Sequence, residues 1–207
     1  MKVLLINGSP RKEGNTHMAL EEVAIRLKTN GIETEVLSIG VKPVRGCIAC
    51  GQCHEKGLGH CVFDDDLCNR AIDALAQADG LIVASPVYYG QPNGTLVSLI
   101  QRMLYAGGAQ AQNKPVAVIA VCRRGGATSA LQTMAMPFQL VNMPIVTSQY
   151  WNIAYGRDKG EVEQDEEGMQ TMRTMADNMA WILKNLHGEH AVPAPEREAK
   201  IATNFVR

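Results

Sequence analysis

The 207-residue chain is 46% hydrophobic and 20% charged, with a formal net charge of -1, a composition that fits one globular domain able to bury its own core. The near-balance of charge excludes a chain that courts nucleic acid or an anionic membrane with its whole surface, and argues against an acidic carrier steered by a strong field. No apolar run approaches the roughly 20 residues that span a bilayer. Val3–Ile6 is too short for a signal-peptide core before Gly8 and Pro10 end it, so a cytoplasmic protein with reduced cysteines is expected.

Val3–Ile6 is the first predicted strand. Asn15 and Thr16 can open the first helix, whose Leu20, Val23, Ala24 and Leu27 share a face, and Gly31 follows its end at Lys28. The second strand is Val36–Ile39. Asp64, Asp65 and Asp66 precede a helix carrying Leu67, Ala71, Ala74, Leu75 and Ala78, and are read as helix caps rather than metal ligands. Leu81–Ala84 is the third strand, followed by a helix with Leu96, Leu99, Ile100, Met103 and Leu104 on one face. Val116–Val121 and Ile145–Thr147 are the fourth and fifth strands. The last helix, Asp165 to Leu186, aligns Met169, Met172, Ala176, Met179, Leu183 and Leu186, a stripe suited to a core or a dimer contact. Near-continuous β-branched runs alternating with helices predict a doubly wound parallel sheet covered on both faces. The domain is expected to span 1–187, with 188–207 a surface tail or an arm onto a partner subunit.

Where the first strand turns into the first helix stands Gly8-Ser9-Pro10-Arg11-Lys12-Glu13-Gly14-Asn15-Thr16. A helix N-terminus offers unpaired N–H groups and a positive dipole end to an anion. Ser9 and Thr16 add hydroxyls, Asn15 an amide, Arg11 and Lys12 charge, and Gly14 room for close approach. The dinucleotide G-x-G-x-x-G and the Walker A pattern are both missing, which points to a cradle for a single phosphate. This strand-G-S-P-R-K-x-G-N-T pattern resembles the phosphate loop of the NADPH-dependent FMN reductase family. The resemblance covers at least residues 1–150 and implies a flavodoxin-like α/β fold: five parallel strands in the order 2-1-3-4-5 with helices on both faces. In that order strands one and three flank the crevice where ligands bind.

Two further loops would then face the phosphate loop. Ser85-Pro86-Val87-Tyr88-Tyr89-Gly90-Gln91-Pro92-Asn93 is similar to the family's flavin-ring segment, which implies ring contact by Pro86, Val87, Tyr88, Tyr89, Gly90 and Asn93; as ordinary packing, either tyrosine could instead close a strand end. In Cys122-Arg123-Arg124-Gly125-Gly126, paired glycines permit close approach. Arg123 or Arg124 could balance charge on a reduced ring, or one could face solvent. Cys122 reads as a small buried hydrophobe.

Four of the six cysteines fall in Cys47-x2-Cys50-x2-Cys53-x7-Cys61. In a reducing compartment such clustering suggests metal or redox chemistry. Compact cysteine runs hold cubane clusters, sets of four thiolates also suit zinc, and a loop without metal could shape the flavin pocket or a subunit contact. All three readings stand. The spacing resembles that of iron–sulfur flavoproteins, which implies a [4Fe-4S] cluster beside FMN; Cys68 is not counted as a ligand.

The expected function is an FMN-dependent oxidoreductase that takes a hydride from NAD(P)H and reduces a flavin, quinone or other acceptor by a ping-pong route. The alternative is an iron–sulfur flavoprotein serving as an electron-transfer or redox-sensing partner without turnover of its own. Hydride transfer to a flavin requires no side-chain acid or base, so no catalytic residue is named. The expected partners are a nicotinamide nucleotide and a small-molecule or protein acceptor, with no nucleic acid, no membrane and a second copy of the chain in a homodimer.

Overall fold

Side chains along the central strands alternate between two layers, and both faces are apolar and buried. In β1 (Lys2–Asn7), Val3 and Leu5 point to one layer and Leu4 and Ile6 to the other. β3 (Gly80–Tyr88) and β5 (Val116–Cys122) divide their side chains in the same way. One layer holds α1 (Asn15–Thr29) and α6 (Glu166–His187). The other holds α3 (Cys68–Ala76), α4 (Gly94–Ala111) and α5 (Ala127–Leu140). The computed structural model describes residues 1–196, 198, 199, 201 and 203.

The five parallel strands follow the expected topology: β2 (Glu33–Ser38), β1, β3, β5, then β6 (Ile153–Tyr155). A sixth strand, β4 (Gln91–Pro92), pairs antiparallel with the end of β3. Tyr89 and Gly90 between them have φ of 51° and 77°, the double left-handed turn that matches strand twist in a two-residue hairpin. β2 lies at the sheet edge, so Val36 is exposed rather than covered on both faces.

The fifth strand departs from expectation. Ile145 makes one isolated bridge to Val116, and the Val146 N–H donates to Val116 O at 2.8 Å. The chain then leaves the sheet through 147–152 and returns as β6 beside Ala120–Cys122. Asn152, buried, closes the detour with its amide on Val146 O and its carbonyl accepting from Ala120 N–H. The apolar run Ile145–Thr147 marked where the strand begins, and could not reveal that most of its pairing is deferred.

The stripe of α6 is core from Met169 to Leu183, with Met172, Ala176, Met179 and Leu183 fully buried and Met175 buried beside them, whereas Leu186 is exposed. Asp165 caps that helix through the Gly168 N–H. α2 (Gln52–Glu55) is a single turn inside the cysteine segment. Among the described residues, no helix is long and apolar enough to cross a membrane, and nothing beyond His187 is helix or strand. Of the expected tail, residues 197, 200, 202 and 204–207 lie outside the described residues.

Candidate flavin site and cysteine pocket

Four loops at the carboxyl ends of the strands meet in one cleft, lined by Ser9, Arg11, Gly14, Asn15 and Thr16, by Pro86, Val87 and Tyr88, by Val121, Cys122 and Arg123, and by Gly156 and Arg157. The first loop is pulled tight beneath it. Gly8 N–H donates to Ala84 O at 2.7 Å, and a Cβ on Gly8 would stand 2.5 Å from Leu96 Cδ2. Ser9 N–H donates to Asn7 Oδ1, while Ser9 Oγ accepts from Arg11 N–H at 3.1 Å and keeps its own proton for another partner. α1 begins at a glycine, Gly14, with no side-chain cap, which leaves the N–H groups of Asn15 and Thr16 outside the helix ladder. Donor chemistry and helix polarity both fit a phosphate there.

The loops that follow β3 and β5 brace each other. Gly126, with φ of 87°, packs so closely on the hairpin turn that a Cβ would stand 2.6 Å from Gly90 Cα. Ser85 Oγ donates to Pro86 O and accepts from Asn93 N–H. Asn93 itself caps α4 by accepting from Thr95 N–H at 2.9 Å.

Not every expected contact residue lines the cleft. Lys12 lies on the outer rim with Glu13 and Lys159. Tyr89 projects fully into solvent from the hairpin tip, Arg124 and Gly125 are exposed, and Gly90, Gly126 and Asn93 act on the backbone of the loops. The fourth loop, 156–161, is the wall the sequence reading missed. It follows β6, and placing the fifth strand at 145–147 hid it; the G-R-D-K-G run after Tyr155 was the available signal. Asn15, expected to donate to the anion, brackets this loop with both ends of its amide, to Asp158 O at 2.9 Å and from Gly160 N–H at 3.0 Å. The Glu161 carboxylate accepts from Arg157 and Asp158 N–H. Those two bonds, Asp158's first, hold it below the usual glutamate range.

Cys47, Cys50, Cys53 and Cys61 line a single separate pocket with Ile48, Phe63, Arg102 and Tyr105. Its segment carries left-handed backbone at Ala49, Gly51, Gly57 and Gly59 and closes on α4, where His54 meets the Tyr105 ring edge-on at 4.6 Å. Burial pushes the Cys53 thiol up. Cys68, buried on α3 outside this pocket, is pushed up to about 12 by the same cause, and Cys122 is raised by burial too. The acidic triplet does not supply the N-cap of α3, which is Leu67 without a side-chain cap bond; instead Asp66 accepts from Cys68 N–H, Asp64 accepts from Asn69, and Asp65 pairs with Arg45. Among the described residues, no three Cys, His, Asp or Glu side chains are gathered closely enough for a single metal ion. A cubane takes one thiolate on each of four irons, so its ligands stand apart around it, and a pocket with four thiols and an arginine suits that donor set.

A doubly wound sheet in this strand order, with an uncapped helix N-terminus and converging loops at its carboxyl edge, defines the flavodoxin-like class. An archaeal flavodoxin structure superposes with a TM-score of 0.60 over 89% of this chain and 99% of its own, at 16% identity. The profile described as NADPH-dependent FMN reductase matches residues 1–158, and the chain belongs to that family of flavin oxidoreductases. It is 33% identical to an iron-sulfur flavoprotein of Methanocaldococcus jannaschii over 89% of this chain and 98% of the relative. It is also similar to an FMN reductase (NADPH) of Escherichia coli K12, 32% identical over 48% of this chain and 47% of that one.

Proposed function

We propose that the chain is an FMN-containing NAD(P)H oxidoreductase whose phosphate loop, 9–16, holds the FMN phosphate and whose loops 86–90, 122–126 and 156–157 frame the ring. The observation that carries this reading is the convergence of four strand-end loops on a cleft whose helix starts at a bare glycine. Bound FMN supplies hydride acceptance, and the protein supplies binding, orientation and electrostatics. Ser9 Oγ and the Asn15 and Thr16 N–H groups donate to the phosphate, and Arg11 and Arg157 neutralise it. Pro86, Val87 and Tyr88 fix the ring's place, with Arg123 near enough to balance added negative charge. NAD(P)H and the second substrate, a flavin, quinone or protein acceptor, take turns at the open face. The folded unit is 1–187, and a homodimer would be built on exposed surface such as Trp181, because the methionine stripe is committed to the core.

We further assign Cys47, Cys50, Cys53 and Cys61 as ligands of a [4Fe-4S] cluster, supported by their shared pocket and by the extended similarity to an iron-sulfur flavoprotein. With the cluster present, a hydride's two electrons can leave singly, which favours a protein acceptor and gives the electron-transfer reading its footing. Anaerobic purification with cofactor mass, iron and sulfide assays, and stopped-flow mixing with NADH and NADPH, tests all of this. FMN released in equal amount to chain and bleached by one nicotinamide is expected. Protein that binds no flavin, or flavin that neither nucleotide reduces, would overturn it. Single reduction without repeated turnover on small acceptors would favour the electron-transfer role.

A further inference from the structure

We propose that Arg102 is the positioning residue of the cysteine pocket, presenting a fixed positive charge and N–H donors to its sulfur ligands and so setting how readily a thiolate-held cluster is reduced. The inference rests on the cluster reading given above.

Arg102 belongs to the apolar stripe of α4, between Leu99 and Met103, and is only 2% exposed. Stability gives little reason for a charge there, because replacing a buried ion pair by well-packed apolar side chains is often neutral or favourable. What the guanidinium touches is more specific. Nη1 pairs with Asp66 and donates to Arg45 O at 3.2 Å, and Nη2 donates to Phe63 O at 3.3 Å. All three anchors lie in the segment that carries the cysteines. Nε is buried without a partner.

Arg102 lines the cysteine pocket while Asp66 does not. Four thiolates around a cubane leave net negative charge, and reduction adds one more. Potentials of such clusters respond to net charge and to hydrogen bonds on sulfur. A fixed cation lining the same pocket as the four cysteines, with Nε unspent as a donor, therefore favours the reduced state. Lysine would keep the charge but not the planar fork that reaches Asp66 and two carbonyls together.

The test uses the full chain, prepared anaerobically and supplied with iron and sulfide. FMN, iron and sulfide per chain are measured, and the cluster's midpoint is followed by electron paramagnetic resonance. R102M/D66N removes both charges, so no lone buried ion is left to unfold the loop. It should keep native FMN and be reduced about tenfold less readily, which for a one-electron couple is about 59 mV. R102K should shift the same way by less. A double variant with native FMN but little iron also supports the proposal, because the cysteines are then unheld. An iron-loaded double variant with the native midpoint overturns it. If the double variant loses FMN as well, R102K decides alone, and a native midpoint there overturns it. Native protein that takes up no iron defeats the cluster reading and this inference together, whereas unchanged variants of an iron-loaded native protein defeat only the inference.

Discussion

The candidate flavin cleft and the cysteine pocket are built by different means. The cleft hangs from the carboxyl ends of paired strands, and its loops are locked backbone to backbone: Gly8 on Ala84, Gly126 on Gly90, Gly156 N–H on Cys122 O. The cysteine segment, 44–66, contains one turn of helix and is fastened almost wholly by side chains: Asp66, Arg102, Asn69 on Cys61, and His54 on Tyr105. A site framed by a sheet has its shape before any ligand arrives. One framed by side chains keeps freedom to close around what it binds. The two are therefore expected to fail separately.

The largest separation should come from Cys53→Ser. Anaerobic native protein is expected to hold about four irons per chain, the cubane's stoichiometry, and the variant less than half of that, with FMN content unchanged. Cys68→Ala should alter neither. Iron retained in the Ser variant, or lost in the Cys68 variant, would break the assignment.

Gly126→Ala tests the cleft in the same way. At φ of 87° and 2.6 Å from Gly90 Cα, the added Cβ must push the two ring loops apart. Strained backbone costs of order 1–3 kcal/mol, so FMN should bind about ten- to hundredfold more weakly in a fluorescence titration, with iron uptake intact.

Ser9→Ala sharpens the cleft internally. A hydrogen bond to a charged group contributes about 1.5–3 kcal/mol, so FMN affinity should fall about tenfold or more while riboflavin affinity stays put. Asn15→Ala should differ from it. Its amide is tied to the 156–160 loop, so loss of FMN affinity there should be accompanied by faster proteolysis or hydrogen exchange in that loop.

The smallest effect should come from Asp177→Asn, outside both regions. Asp177 takes a two-bond fork from Arg26 at 2.8 Å and an amide from Asn30, joining α1 to α6. Its carboxyl is held below the ordinary 3.8, first by the Arg26 bond, against the opposing pull of burial. A depressed folded value means this contribution is full above pH 3.8 and is lost as pH falls through the lower folded value. Urea midpoints of native and variant protein should therefore differ slightly at neutral pH and converge in acid. Iron and FMN contents should match throughout.

Much of this was legible in residue order. Near-continuous apolar runs and helical periods placed the strands and most helices, because each central strand had to bury both faces and each helix one, while the strand order came with the resemblance of the phosphate loop. The G-S-P-R-K-x-G-N-T loop and the cysteine spacing also read locally, since an anion cradle and a thiolate set are matters of which donors lie close in the chain. Tertiary structure alone decided the rest. Whether β5 pairs with Ile145 or Ile153 depends on where the detour through 147–152 rejoins the sheet, and that choice brought Gly156 and Arg157 to the cleft. Asn15 became a bracket instead of a free donor because a loop 143 residues away reaches its amide. Arg102 sits in an apolar helical stripe, where sequence shows only an interruption. Its purpose emerges when folding lays segment 45–66 across α4, for a buried charge has meaning only through the groups that face it.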